Sequence, residues 1–106
     1  MEKEVIITST LRHKIRLPLE RWAHILESHD YMAGCVDLVV ETVSYPDQLI
    51  ESEWEHYPLK SYDSTPVGKK TCVVIYKDIV DGFIITALLT SKQEQFVKRG
   101  RTIWKK

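Results

Sequence analysis

Short runs of β-branched and apolar residues recur along the chain, and such runs are typical of β-strands. Six segments follow this pattern and are predicted to be strands: 4–9, 13–17, 48–53, 71–76, 83–90 and 101–106. Residues 78–82 are predicted to join two of them as a hairpin, with Gly82 allowing an unusual backbone angle. Both faces of 83–90 are largely apolar, with Thr86 as the polar exception, so this strand is predicted to lie centrally in a sheet.

Helical spacing appears once the chain passes Pro18, which suits a first helical position. Leu19, Trp22 and Leu26 form one apolar stripe, and 28–30 is expected to interrupt the helix. A second helix is predicted over 31–44, although its valines leave a strand open as an alternative there. Residues 54–70 lack a clean period and are predicted to form a long loop or an irregular hairpin, and 91–99 a helical turn or loop.

These elements predict one α+β domain covering residues 1–106, with N-terminal helices packed on a curved antiparallel β-sheet formed mainly by the C-terminal half. We expect no membrane span, because no apolar run approaches about 20 residues. The mixed-charge start at 1–4 does not resemble a signal peptide, so a cytoplasmic location is expected. Cys35 and Cys72 each lie in an apolar run and are predicted to be buried thiols.

The formal net charge is zero, but the charges are unevenly distributed. Residues 1–68 hold 6 Lys/Arg and 12 Asp/Glu, a net −6, whereas 69–106 hold 9 Lys/Arg and 3 Asp/Glu, a net +6. This asymmetry favours a basic surface that could meet an anion such as nucleic acid. A solvated, lysine-rich edge strand would give the same count.

Several kinds of active site are excluded by the motifs that the sequence lacks. It has no glycine-rich phosphate loop, no G-x-S-x-G nucleophile turn and no zinc-ligand spacing of histidines and cysteines, so neither a metal nor a cofactor is expected. The remaining His, Arg, Lys, Tyr and Thr residues suffice for cleavage of RNA without metal. RNA carries its own nucleophile, the 2′-OH, and needs only a base, an acid and donors for the phosphate.

The candidate residues also have ordinary structural explanations. His24 lies nearly opposite the apolar stripe of its helix and could be an inert surface residue, whereas His29 could cap the helix end. Thr86 could be simply a good strand residue or a ligand for phosphate. Arg12 and Arg16 alternate with Lys14 along an extended segment and form either a row for phosphates or a solvated face.

Loop tyrosines near lysines suit the binding of single-stranded RNA, because aromatic rings stack on bases. Tyr57 and Tyr62 are the predicted stacking residues, and Lys70 is one of the lysines that follow them. The alternative is that both rings only cover the edge of the core.

Several short motifs together resemble one nuclease superfamily. They are Trp22-Ala23-His24-Ile25 with His29 five residues after His24, Tyr45-Pro46-Asp47, Phe83-Ile84-Ile85-Thr86-Ala87 and Gly100-Arg101-Thr102-Ile103-Trp104. The set resembles small phage-associated domains of the barnase–EndoU–colicin–RelE-like superfamily and spans about residues 17–106. Each motif is short, but their order and spacing are moderately specific.

The resemblance implies helices followed by a curved antiparallel sheet, and a metal-independent ribonuclease of the toxin type with an antitoxin or immunity protein as partner. It implies catalytic roles for His24, His29 and Thr86, which match polar positions of the family pattern, and a role in RNA binding for Arg101. Asp30 and Leu88 depart from that pattern, since relatives often have Pro and Tyr there. A binding module without catalysis, for RNA or for a protein, is the alternative function.

Overall fold

The computed structural model of the protein describes residues 4–106; part of the start considered for a signal peptide, residues 1–3, lies outside the described residues. The order of elements mixes strands and helices, as the prediction required. The strands are β1 (Glu4–Thr8), β2 (Lys14–Pro18), β3 (Gln48–Glu51), β4 (His56–Tyr62), β5 (Lys70–Lys77), β6 (Gly82–Thr90) and β7 (Arg101–Lys105). The helices are α1 (Leu19–Ser28), α2 (Val36–Ser44) and the short α3 (Glu94–Val97), with a 3₁₀ turn at Asp30–Met32.

All seven strands form one sheet with the order β1-β2-β6-β5-β4-β3-β7. Every neighbouring pair is antiparallel except β2 and β6, which run parallel through Ile15↔Gly82 and Arg16↔Phe83. Five of the seven strands follow residue 47, and α1 and α2 precede them. The predicted α+β class is therefore confirmed, with one parallel pair that the sequence did not indicate.

The larger core fills the space between the sheet and the helices. Ile25 of α1 and Val39 and Val43 of α2 are at most 2% exposed and pack on the inward side chains of the sheet. The sheet contributes the following residues to this core: Ile7, Ile15, Leu17, Cys72, Val74, Tyr76, Ile84, Ala87 and Leu89. Burial of this continuous apolar layer supplies the main driving force for folding. We call this side of the sheet the helix face.

A second, smaller core lies on the other side of the sheet, which we call the outer face. Phe96 of α3 is 5% exposed and packs there against Val73, Ile75 and Tyr57. Part of the sheet is therefore covered on both sides. This explains why β5 is buried along almost its whole length.

A register shift in the β5–β6 ladder changes which residues of β6 share a face. The pairs are Ile75↔Thr86 and then Tyr76↔Ile84, which leaves Ile85 as the extra residue of a bulge. Strict alternation along 83–90 predicts that Ile85 shares a face with Ala87 and Leu89, and this is wrong. Ile84 lies with Ala87 and Leu89 in the helix-face core, whereas Ile85 packs against the outer core.

Two other element predictions needed correction. The segment 54–70 is not a long loop, because β4 occupies 56–62. Pro58 hid this strand, since proline cannot donate to a ladder and is rare in central strands. The β4–β5 ladder accordingly shows His56↔Tyr76 and resumes only at Leu59↔Val73. The predicted helix over 31–44 forms only from Val36, because Gly34 adopts a φ of 78° that breaks it.

Cys35 and Cys72 are both free and buried, as predicted. Burial raises the pKa of both thiols, to about 12 for Cys72. Among the described residues, no helix is long and apolar enough to cross a membrane.

Candidate functional site

The candidate site is a cleft beside α1 that we call the α1 cleft. It has a volume of about 380 Å³ and is lined by Arg16, Pro18, Glu20, Arg21, His24 and Phe83. It joins a carboxylate, an imidazole and two guanidinium groups with one aromatic ring. These are the functional groups that proton transfer next to a phosphate requires.

Helix α1 places the titratable groups of this cleft. Its apolar residue Ile25 is 2% exposed, and Trp22 and Leu26 pack against the same helix-face core. Glu20 and His24 are four residues apart and therefore project one above the other, away from this buried side. Pro18 ends β2 in an extended conformation (φ −64°, ψ 147°) and precedes the first residue of the helix.

The sheet supplies the remaining wall of the cleft. Arg16 of β2 and Phe83 of β6 are direct partners in the parallel ladder. Each follows or precedes a residue of the helix-face core, Ile15 and Ile84 respectively, so both side chains point to the outer face. The cleft thus lies where β2 leads into α1, between the exposed side of the helix and the outer-face side chains of Arg16 and Phe83.

Ion pairs hold the Arg16 guanidinium in place. Its Nε lies 2.8 Å from Oδ1 of Asp81 and its Nη2 lies 3.1 Å from Oδ2, a forked geometry, and Nη1 lies 3.4 Å from the Glu4 carboxylate. The Asp81 side chain is 76% exposed. Because solvent and salt screen this exposed pair, an incoming anion can compete with Asp81 for the guanidinium.

The other charged groups of the cleft form fewer or longer ionic contacts than Arg16 does. Within residues 4–106, neither Glu20 nor Arg21 forms an ion pair, and His24 Nδ1 lies 3.7 Å from the Glu27 carboxylate. The His24 side chain is 67% exposed. The imidazole and Arg21 are therefore available to a ligand without breaking a strong contact.

The three predicted catalytic residues do not all line the α1 cleft. His24 lines the α1 cleft, but His29 lies beyond the end of α1, with its Nδ1 3.2 Å from the Tyr31 hydroxyl. Thr86 pairs with Ile75, which packs in the outer core, and it does not line the cleft. Of the three, only His24 lines the α1 cleft, so the grouping of His24, His29 and Thr86 in one catalytic site stays a prediction.

Two of the predicted RNA-binding residues, Tyr57 and Tyr62, make contacts within the fold. Tyr57 is 3% exposed, packs edge-on against Phe96 and donates a hydrogen bond to Glu55 at 2.9 Å. The Tyr62 hydroxyl lies 3.1 Å from the Thr42 hydroxyl, and burial raises the pKa of this phenol. The burial of Tyr57 leaves no ring face for stacking on a base, which contradicts its predicted role. Tyr62 is half-buried, and its role in RNA binding stays a prediction.

The predicted basic residues are distributed over separate surfaces. Arg16 lines the α1 cleft, whereas Arg12 lines a different cavity of about 340 Å³ beside the β1–β2 turn. Lys70 lies at the start of β5 in a further pocket. Arg101 is on the edge strand β7, 3.3 Å from the Glu51 carboxylate. These residues do not form one basic patch around the cleft.

A second group of titratable side chains lies near the opposite end of β5 from Lys70. His13 Nδ1 is 2.8 Å from Asp78 Oδ2, and His56 Nε2 lies 4.0 Å from the same oxygen and 3.7 Å from Glu51. His56 also stacks on Tyr76, with ring centroids 5.4 Å apart. The two imidazoles and the two carboxylates are one another's polar partners, which favours a structural network over a free site. Among residues 4–106, no three or more His, Cys, Asp or Glu side chains are arranged so that they could hold a metal ion.

Sequence reasoning missed Glu20, Arg21 and Phe83 as members of the site. The four-residue spacing of Glu20 and His24 was a readable signal for the first of them. Phe83 depended on the parallel pairing of β2 with β6, which no local pattern specifies. No family model, curated protein or solved structure matches this chain.

Proposed function

We propose that this protein is a metal-independent endoribonuclease whose active site is the α1 cleft. The proposal is carried by one observation: Glu20, His24, Arg16 and Arg21 line a single cavity. The first two can exchange protons and the other two can bind a phosphate, so the cleft holds every group that the transesterification of RNA requires.

In the proposed reaction the Glu20 carboxylate removes the proton of the RNA 2′-OH. The 2′-oxygen attacks the adjacent phosphorus, and the bond from phosphorus to the 5′-oxygen breaks. The His24 imidazolium gives its proton to the departing 5′-oxygen, so the products are a 2′,3′-cyclic phosphate and a 5′-OH end. Histidine suits this step because its charge changes near neutral pH.

The two arginines have the task of holding the phosphate. Guanidinium groups bind phosphate oxygens with paired, charge-assisted hydrogen bonds, which strengthen as negative charge develops in the transition state. Arg21 is free to do so, and Arg16 becomes free when the phosphate replaces Asp81. Phe83 offers a half-buried ring beside them on which a base can stack.

The biological role proposed here is that of a toxin acting on RNA in the cytoplasm. Its partners are then RNA and a cognate antitoxin or immunity protein that covers the cleft. Expression of the protein alone should arrest growth, and co-expression of the inhibitor should restore it.

The test is incubation of the purified protein with single-stranded RNA in EDTA, followed by analysis of the product ends. We expect 2′,3′-cyclic phosphate ends, and a loss of cleavage in His24→Gln and in Glu20→Gln. His13→Gln is the matched control, because His13 is also exposed and beside a carboxylate but lies outside the cleft. Intact RNA with the folded wild-type protein would overturn the proposal.

The alternative function is a module that binds RNA and does not cleave it. It is favoured by the position of the His24 ring, which has no polar contact shorter than 3.7 Å among the described residues. Salt-sensitive binding of RNA with no turnover would support this alternative.

A further inference from the structure

A second polar pocket lies at the far end of β6 from the α1 cleft. It has a volume of about 220 Å³, and we call it the hydroxyl pocket because four of its lining residues carry hydroxyl groups. It is lined by Ser61, Lys69, Lys70, Thr71, Thr90, Ser91 and Gln93. Among residues 4–106, no carboxylate lines it.

The hydroxyl groups form a row across three neighbouring strands. Ser61 of β4 pairs with Thr71 of β5, and Thr71 pairs with Thr90 of β6. The Ser61 and Thr71 hydroxyl oxygens are 3.2 Å apart. Residues opposite each other in a ladder point to the same face, so the three hydroxyls are presented together at the end of the sheet.

The two lysines of the pocket lack a countercharge. Within residues 4–106, neither Lys69 nor Lys70 forms an ion pair, and the Lys70 ammonium instead donates to the neutral Ser91 hydroxyl at 2.9 Å. A carboxylate close to the pocket, Asp47, accepts the backbone N–H of Ser61 and lies 3.9 Å from Lys60. No carboxylate among residues 4–106 therefore neutralises either of these ammonium groups by an ion pair.

The chemistry of these donors fits a phosphate better than a carboxylate. Ammonium groups act as point charges with three donors each, and hydroxyls can donate in any direction. Separate donors of this kind can each bind a different oxygen of a tetrahedral anion. A planar carboxylate is better matched by the fork of an arginine, and the hydroxyl pocket contains none.

The hydroxyl pocket and the α1 cleft share the outer face of the sheet. Thr71 is two residues from Val73 of the outer core, so Thr71 and its partner Thr90 point to that face. Phe83 points there too and lines the cleft at the other end of β6. A strand of nine residues extends over roughly 25 Å, and Thr86 lies between the two cavities on the same face.

We propose that the hydroxyl pocket is a phosphate-binding site that holds the backbone of an RNA strand at a distance from the cleaved bond. The lysines neutralise the phosphate, and the serine and threonine hydroxyls donate to its oxygens. The strand then crosses β6 between the hydroxyl pocket and the α1 cleft. The identity of the strand rests on the proposed function, whereas the phosphate site rests only on the pocket.

The test uses RNA that can bind but cannot react. An ¹⁵N-labelled sample is titrated with sodium phosphate at constant ionic strength, and then with a single-stranded 2′-O-methyl RNA, which lacks the attacking hydroxyl. We expect both ligands to shift the amide signals of Lys70, Thr71 and Thr90. The double variant Lys69→Met/Lys70→Met should weaken the binding of both ligands about tenfold. It should also lower the slope of log affinity for RNA against log salt concentration by about one unit per lysine.

The matched control is Lys98→Met, which removes an exposed lysine outside the pocket and should change affinity less than twofold. The spectrum itself reports whether each variant is folded. Phosphate shifts that RNA does not reproduce would overturn the RNA subsite, and the absence of any shift at these amides would overturn the phosphate site as well.

The two proposals can fail separately. Binding of the 2′-O-methyl strand through Lys70, with no cleavage of ordinary RNA, would support the subsite and overturn the nuclease. Cleavage that is unaffected by the lysine double variant, at RNA concentrations below saturation, would support the nuclease and overturn the subsite.

Discussion

Glu20 and His24 lie one helical turn apart on α1 and line the same cleft. A carboxylate and an imidazole so placed can act as the base and the acid of one reaction. We expect Glu20→Gln and His24→Gln each to lower kcat/KM for RNA cleavage by about 10²- to 10⁴-fold. Because the two groups serve one transition state, the double variant should lose far less than the product of the single losses.

A comparison of His24 and His29 variants tests whether the reaction takes place in the α1 cleft or at the residue that the sequence resemblance also indicates. His29 lies at a position where the sequence resembles the nuclease superfamily, but its ring contacts the Tyr31 hydroxyl outside the cleft. Full activity in His24→Gln together with a large loss of activity in His29→Gln would show that the reaction does not take place in the α1 cleft. The measurement is the initial rate of cleavage of a fluorogenic RNA in EDTA.

Asp81 competes with any phosphate for Arg16, because it forms a fork with the guanidinium at 2.8 and 3.1 Å. Asp81→Asn should therefore strengthen RNA binding at low salt, by about three- to tenfold, and the difference should fall as salt is added. Fluorescence anisotropy with a labelled 2′-O-methyl RNA measures this directly. Glu53→Gln removes the same charge from an exposed position outside the ion pairs of residues 4–106. Equal gains in both variants would mean that only net charge matters.

Gly100 lies against the backbone of β3 at the point where β7 begins. A Cβ atom added there would collide with the carbonyl group of Glu51. Gly100→Ala should therefore force β7 away from β3 and lower the free energy of unfolding by about 3 kcal/mol. Gly68→Ala is the comparison, since Gly68 has free space but a φ of 91° and should cost only about 1 kcal/mol. Urea denaturation measures both, and equal costs would contradict the close approach.

The Cys72 thiol should make the fold sensitive to alkaline pH. Burial raises its pKa from 9.0 to about 12, so the folded state holds the proton more tightly than the unfolded chain. This group contributes on the order of 4 kcal/mol to the free energy of unfolding. The contribution is fully present below pH 9 and is lost progressively between pH 9 and 12. Urea midpoints should fall over that range, and Cys72→Ala should fall less steeply. Parallel curves for the two proteins would contradict this assignment.

Much of the secondary structure could be predicted from local sequence. The strands β1, β5, β6 and β7 contain runs of β-branched and apolar residues, β2 alternates apolar with charged residues, and α1 follows Pro18 and an apolar stripe. These features depend on neighbours in the chain, so their signal is local. Strand β4 was missed because Pro58 is a reliable break signal, and only the partners β3 and β5 make a strand favourable there.

The candidate site was only partly predictable. His24 and Arg16 were identified as residue types suited to RNA chemistry, and the structure places both in one cleft. Tyr57 was also a reasonable candidate, but Phe96 of α3 packs on it and buries it. A local pattern shows that a side chain is aromatic or charged, but it does not show what covers it.

The sequence by itself determined the class of the fold and the face that α1 buries, because both follow from the spacing of apolar residues along short segments. The tertiary structure alone decided which side chains meet. The parallel pairing of β2 with β6 brings Arg16 to Phe83, and the bulge at Ile85 sets the face on which Thr86 lies. Such contacts join residues far apart in the chain, and their free energy comes from burial of the whole sheet, which no single segment encodes.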